Sequence, residues 1–235
     1  MKVLVIGQGR MGSLIKITSE NHGHEVIGMV DITNNESILD KECDVVIDFS
    51  HRDNVAWVCD YCKDKQAALV MGTTGLQSEQ MDKIKALSHT NPVFFSANYS
   101  YGVAVLRKAL QMLTPMLEND FDMEMVEKHH NQKADAPSGT ALMLLNAMDP
   151  DNSYNHVFGR EGMIGKRGHE IGVSALRGGT VAGEHTIYYF GQDESITISH
   201  SATSRQIFVN GAIKAAEYLV KQNPGYYTMD DLLQD

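Results

Sequence analysis

Cysteine is scarce in this chain of 235 residues, which carries only Cys43, Cys59 and Cys62. An odd number cannot all pair, and the one C-x-x-C has no second pair to complete a zinc site, so neither a disulfide framework nor structural zinc is expected. Cys59 and Cys62 fall in a segment that reads as an amphipathic helix with Val55 and Val58, where a thiol behaves as a small buried hydrophobe. Positive charge is also short: 20 lysines and arginines stand against 30 aspartates and glutamates, a formal net charge of −10. That balance argues against a nucleic-acid or anionic-membrane partner, and any anionic ligand has to be held by a local cluster of positive groups. No apolar run is long enough to span a membrane, and no basic, signal-like stretch precedes the first strand, so a reducing cytoplasm is the expected location. Internal repeats, low-complexity tracts and long linkers are missing too. What is there is a chain with 43% hydrophobic residues, enough for one large domain or two small ones.

The first six residues end in the apolar run Val3-Leu4-Val5-Ile6, as a parallel strand buried on both faces requires. Gly7-Gln8-Gly9-Arg10-Met11-Gly12 follows at once, matches G-x-G-x-x-G, and opens a helical run to about Asn21. Glu25 to Val30 reads as the second strand, ending at Asp31. This βαβ unit meets the demands of dinucleotide binding: a tight turn, bare backbone for the pyrophosphate, close helix packing, and a carboxylate for the adenosine ribose. Asp31 would repel a 2′-phosphate, and Ile32-Thr33-Asn34-Asn35 bring no basic residue, so NADH is expected to be preferred over NADPH.

Strands at Cys43–Phe49, Ala67–Met71 and Val93–Ser96 alternate with helices at Asn54–Lys63 and Ser78–Ser88, which predicts an α/β fold with a doubly wound, Rossmann-type parallel sheet. Ligands bind such sheets at the carboxyl ends of the strands. The loops there are Phe49-Ser50-His51, Gly72-Thr73-Thr74-Gly75 and Ser96-Ala97-Asn98-Tyr99, each suited to approach a nicotinamide and its ribose, though each also reads as an ordinary turn.

From Tyr101 the character changes. A long amphipathic helix to about Leu117 precedes Phe121 to His129, where apolar and charged residues alternate as in a half-buried strand, so that Glu127 and His129 fall on the apolar face. Residues 149–166 read as polar and irregular. Strands at Glu170–Arg177, Gly183–Phe190 and Glu194–Ser201 complete a small mixed sheet in an α+β domain, and a helix over Ser204–Lys221 returns to the first domain. The expected division is residues 1–100 with 206–235 for the dinucleotide and 101–205 for substrate binding and oligomerisation.

One stretch, from Glu127 to Thr140, concentrates proton-transfer and anion-binding groups. His129, His130 and Lys133 can each hand over a proton near neutral pH, the lysine if its pKa is lowered. Pro137-Ser138-Gly139-Thr140 precedes the apolar run Ala141 to Leu145 and reads as a helix N-terminus, whose free N–H groups and hydroxyls suit a carboxylate or phosphate. The same residues also fit a polar loop that merely caps a helix. No metal is expected: the ten histidines are scattered, and neighbours His129 and His130 point to opposite faces of a strand.

With Gly9-Arg10-Met11-Gly12, Asp48-Phe49-Ser50, Gly72-Thr73-Thr74-Gly75, Ser96-Ala97-Asn98-Tyr99-Ser100, His129-His130-x-x-Lys133-x-Asp135-Ala136-Pro137-Ser138-Gly139-Thr140, Arg177 to Thr186 and Phe208 to Ala212, the chain resembles the 4-hydroxy-tetrahydrodipicolinate (dihydrodipicolinate) reductases over nearly its whole length. The resemblance implies reduction of a cyclic dicarboxylate in lysine and diaminopimelate biosynthesis, with NADH or NADPH held by the first domain and substrate by the second. It implies His129 as proton donor or acceptor, Lys133 as a second donor, His130 in contact with substrate, and Gly139 and Thr140 on a carboxylate. It also implies a homotetramer built through the second-domain sheets. Two other readings share the first domain: a reductase of an amino-acid semialdehyde or homoserine-type substrate, which would not need the His-His-x-x-Lys run, and an NADH-sensing regulator, which would bind cofactor without chemistry.

Overall fold

The computed structural model describes residues 1–234. Two compact units form, one from Met1–Tyr101 with the segment beginning at Gln206, the other from Gly102–Arg205. Among the described residues no helix is long and apolar enough to cross a membrane.

The first unit is a six-stranded sheet of β1 (Lys2–Ile6), β2 (Glu25–Val30), β3 (Val45–Asp48), β4 (Ala68–Met71), β5 (Pro92–Phe95) and the late strand β11 (Gly225–Tyr227). Its order is β11-β5-β4-β3-β1-β2 and every pair is parallel. A parallel sheet needs helices on both faces, and the alternation of strand side chains decides which helix covers which. Leu4, Ile6, Val46, Leu69, Met71 and Val93 pack with Val55, Val58, Cys59 and Cys62 of α2 (Val55–Lys65) and Ile84 and Leu87 of α3 (Ser78–Leu87). Val3, Val5, Val45, Ile47 and Val70 alternate with those and are equally buried. Their face is served by α1 (Arg10–Asn21) and α6 (Gln206–Leu219), which pack on each other. All three cysteines are buried and free, and burial pushes the Cys43 thiol up to about 11.

In the second unit, β6 (Asp122–His129), β7 (Asn155–Phe158), β8 (Glu170–Arg177), β9 (Gly183–Phe190) and β10 (Ser195–Ala202) form a mixed sheet ordered β10-β9-β6-β8-β7. Central β6 runs antiparallel to β9 and parallel to β8. One face carries the core: Met123 and Met125 of β6 pack with Val103, Leu106 and Leu110 of α4 (Tyr101–Leu117) and Leu144, Leu145 and Met148 of α5 (Gly139–Met148).

Strands β7 and β11 and a last single-turn helix have no counterpart in the sequence reading, nor does the short 3-10 turn Asn35–Ile38. Strand β7, inside the stretch expected to be irregular, has only four residues, two of them Asn155 and His156, and β11 has three. Segments so short carry no periodicity; they are strands because an edge stands beside them, β8 for one and β5 for the other. The single-turn helix α7 (Met229–Leu232) is likewise set by its cap, Thr228, whose hydroxyl accepts from Asp230 N–H.

Candidate active site

In the order of the first sheet the chain reverses between β1 and β3, and ligands of open α/β sheets bind at such a switch point. The glycine loop lies there. Gly7 has φ of +104°, and a Cβ on it would stand 2.8 Å from the carbonyl oxygen of Phe49 at the end of β3. A Cβ on Gly12 would lie 1.8 Å from the carbonyl oxygen of Gly7, so helix and loop approach to backbone contact. Gly9, by contrast, faces open space and caps α1 without a side chain, and no acidic residue stands in the first turn. The free N–H groups at this helix start, with exposed Gln8 and Arg10 and half-buried Met11 around them, fit a dinucleotide pyrophosphate.

Asp31, at the end of β2, is tied into a network. Asn54 donates through Nδ2 to Asp31 Oδ1 at 3.0 Å and to Ser50 Oγ at 2.9 Å, while Trp57 Nε1 donates to Asn54 Oδ1 at 2.9 Å. Ser50 Oγ and Thr73 Oγ1 in turn donate to Oδ1 of Asp48 at 2.6 and 2.8 Å. Asp48 is fully buried, its Oδ2 has no partner, and burial pushes its pKa up to about 6 against the pull of the Ser50 and Thr73 hydrogen bonds. The ends of β2, β3 and β4 are thereby cross-linked by side chains.

The remaining loop positions divide by burial. Thr74 and Ala97 are exposed and Gly72, Ser96 and Asn98 half-buried, whereas Thr73 faces Asp48. A Cβ on Gly72 would meet the Phe49 ring at 2.4 Å. Tyr99 is 1% exposed, its hydroxyl shared between the carbonyls of Met71 and Phe94 and its ring 5.2 Å from that of Phe49. Its side chain is a pillar beneath the loops.

In the second unit the apolar face of β6 continues Met123, Met125, Glu127, His129. Glu127 is fully buried and His129 is 8% exposed. His129 Nδ1 lies 2.5 Å from Glu127 Oε2. Arg177, paired with His129 in the β6–β8 register, grips the same carboxylate through Nη1 to Oε2 at 2.8 Å and Nη2 to Oε1 at 2.7 Å, and Ser138 N–H donates to Oε1 at 3.0 Å. Burial by itself would raise the Glu127 pKa; Arg177, His129 and the Ser138 N–H outweigh it and hold the carboxyl below its ordinary value. An ionised carboxylate only accepts, so Nδ1 of His129 carries a proton and Nε2 is the atom that can take or release one. That Nε2 faces Gly183, where a Cβ would stand 3.1 Å away.

His185, opposite Glu127 on β9, stands edge-on to His129 with ring centroids 5.3 Å apart. Burial, then the charge of His129, lowers its pKa to about 4, so it is neutral at neutral pH. Its Nε2 is 3.1 Å from Ser138 Oγ, which also caps α5 by accepting from Ala141 N–H. Ser138 is buried, with its hydroxyl engaged on both sides, while Gly139 is exposed and Thr140 half-buried at the start of the helix. Half-buried His130 begins the turn closed by Lys133 N–H to His130 carbonyl at 3.2 Å. The Lys133 ammonium sits 2.9 Å from Asp135, whose carboxyl it lowers.

Sequence reading quoted Asp48, Arg177 and His185 only within stretches that resemble the family and gave them no role, placed Glu127 without one, and did not single out Asn54. Asp48 had a signal, as the one acid closing the apolar Val45-Val46-Ile47. For Arg177 and His185 no local signal exists, because the register of β6 with β8 and β9 brings them in.

Against known proteins, residues 1–99 match the family model for the dihydrodipicolinate reductase N-terminus and residues 102–233 that for its C-terminus. The chain is 44% identical to the 4-hydroxy-tetrahydrodipicolinate reductase of Staphylococcus epidermidis, over 99% of this chain and 100% of the relative. With that of Clostridium novyi it shares 40% identity over 99% and 98%. A dipicolinate-bound dihydrodipicolinate reductase from Paenisporosarcina sp. TG-14 shares the fold, with a TM-score of 0.81 at 22% identity over 97% of each chain. The glycine loop at the switch point and the Glu127–His129 cluster thus lie in a chain that belongs to the dihydrodipicolinate reductase family.

Proposed function

We propose that this enzyme reduces 4-hydroxy-tetrahydrodipicolinate to tetrahydrodipicolinate, in lysine and diaminopimelate biosynthesis, with His129 and Lys133 supplying the proton. Replacing a ring hydroxyl by hydrogen takes up one hydride and releases the oxygen as water, so a proton must be delivered. A bound nicotinamide cofactor supplies the hydride. Gly7, Gln8, Gly9, Arg10, Met11 and Gly12 hold the pyrophosphate, Asp31 the adenosine ribose, and Gly72, Thr73, Thr74, Ser96, Ala97, Asn98 and Tyr99 form or support the loops at the nicotinamide end. NADH is preferred, because the Asp31 carboxylate repels a 2′-phosphate.

The observation that carries the reading is the Glu127–His129 pair. Glu127 fixes the tautomer and orientation of the imidazole and stabilises its cation, leaving Nε2 to exchange the proton. Glu127 acts through His129 and is a positioning residue. Lys133 faces a partner, Asp135, that is 57% exposed at its side chain. Ion pairs so open to water contribute about 1 kcal/mol or less, so a substrate carboxylate can displace Asp135. His130 and the α5 start at Gly139 and Thr140 take the substrate, and Ser138 shapes that start from beneath.

The enzyme works in the cytoplasm as a homotetramer; exposed Leu176 and Phe190, on the face of the second sheet opposite its core, support assembly through that sheet. The test follows NADH absorbance while dihydrodipicolinate synthase generates the substrate in place. Oxidation only when that product is present supports the reading, and cofactor binding without oxidation defeats it.

A further inference from the structure

Outside the candidate active site, one group of side chains converges with no role in the reaction. His22 Nδ1 is 3.4 Å and His24 Nε2 2.9 Å from the same oxygen, Oε1 of Glu217. The three ligand atoms all lie within 4.8 Å of one another. The histidines flank Gly23 just after α1, where the strand β2 begins. Glu217 is in the last turn of α6. This is the amino-end edge of the sheet, away from the carboxyl ends where the glycine loop and Asp31 stand.

The backbone holds the two histidines ready. The turn is hydrogen-bonded from His22 N–H to Thr18, Gly23 N–H to Glu20 and His24 N–H to Ser19, each at 3.0 Å. Gly23 has φ of +79°, which lets the chain reverse so that side chains two residues apart reach one carboxylate. Two imidazoles and a carboxylate are the donors that divalent zinc, cobalt and nickel take. Around a tetrahedral ion with bonds of about 2.0 to 2.1 Å, donor atoms stand about 3.3 Å apart, close to both measured separations. His24 is mostly buried, with 13% of its side chain exposed, whereas His22 and Glu217 are 47% and 42% exposed, so an ion can enter and keep a water as fourth ligand.

We propose that His22, His24 and Glu217 bind one divalent transition-metal ion, zinc-like in its preferences, which staples helix α6 to the turn after α1. The ion replaces the protons that otherwise link each imidazole to the carboxylate. It ties together segments almost two hundred residues apart in sequence and leaves the reaction untouched.

The experiment uses the full-length, tag-free protein. Cobalt(II) titrated against it should give visible absorption of the tetrahedral type, saturating at one ion per chain. Zinc should displace the cobalt and raise the melting temperature. His22→Gln, an exposed and mild change, His24→Asn and Glu217→Gln should each weaken zinc binding at least tenfold by calorimetry and remove the thermal shift, with NADH binding and turnover unchanged. Zinc affinity equal in the wild type and all three variants would overturn the site. A zinc-bound protein with an unchanged melting temperature would overturn the staple.

Discussion

His129 donates from Nδ1 to Oε2 of Glu127 at 2.5 Å, and Glu127 is clasped at both oxygens by Arg177. A carboxylate held on three sides inside the core cannot rotate, so the imidazole it meets is held as well. Glu127→Gln keeps the shape but removes the negative charge beside the imidazole. It should lower kcat by about 10- to 100-fold with KM for NADH unchanged. Glu127→Ala leaves Arg177 unpaired and should also cost about 3 kcal/mol or more of stability in urea unfolding. A Gln variant with the wild-type rate would remove Glu127 from the mechanism.

His129→Ala should lower kcat by about 100-fold or more, the usual scale for a lost general acid. Lys133→Ala should lower kcat and also raise KM for substrate, because the proposed role of the ammonium covers both the proton and a substrate carboxylate. Steady-state kinetics with both substrates varied checks this, with KM for NADH as the control that should not move.

Asp31 makes the cofactor choice testable from two sides. KM for NADH should be lower than for NADPH, and Asp31→Ala should narrow the ratio. Asn54→Ala, which frees the Asp31 carboxylate from its Nδ2 donor, should raise KM for NADH by roughly fivefold, the scale of one hydrogen bond, with kcat preserved. A wild-type preference for NADPH would refute the ribose assignment.

The buried neutral His185 ties stability to pH. Its folded pKa of about 4 lies below the ordinary 6.5, so the unfolded chain binds the extra proton between those values. Stability from this site is therefore full above pH 6.5 and falls as the pH drops through the window, by about 3 kcal/mol at most. His185→Gln should remove that slope. The difference between wild-type and variant unfolding curves isolates it from Asp48, whose raised pKa works in the opposite direction.

Gly12→Ala sets a methyl group where the Gly7 carbonyl oxygen stands, 1.8 Å away. The helix must shift, and NADH binding measured by fluorescence should be lost even where circular dichroism shows a folded protein. Gly9→Ala, with open space around it, should retain the fold and weaken binding only through contact with the pyrophosphate itself.

The first βαβ unit was legible because its signals are local: an apolar run, three glycines at fixed spacing, and an acid at the end of the second strand. The same holds for the stretch from Glu127 to Thr140, whose residue types stand together in the chain and in which Ser138 is buried and caps α5. What local signals do not carry is register. The alternation along β6 puts Glu127 inward but cannot name its partner, which stands 50 residues later on β8. Nor does periodicity reveal β7 and β11, which exist because an edge receives them, or the meeting of His22 and His24 with Glu217.

The carbonyl of Tyr99 leaves room for nothing larger than hydrogen on Gly211: a Cβ there would stand 1.7 Å from that oxygen. Tyr99 is among the last residues of the first unit before the chain departs, and Gly211 belongs to the helix by which it returns. The lock therefore closes only after residues 102–205 have been made. On the ribosome the contiguous second unit has all its parts first, while the amino-terminal sheet waits with the edge of β5 unpaired and one face covered by α1 alone. Birth order and completion order are thus reversed in this molecule, and its oldest residues are the last to find their final neighbours.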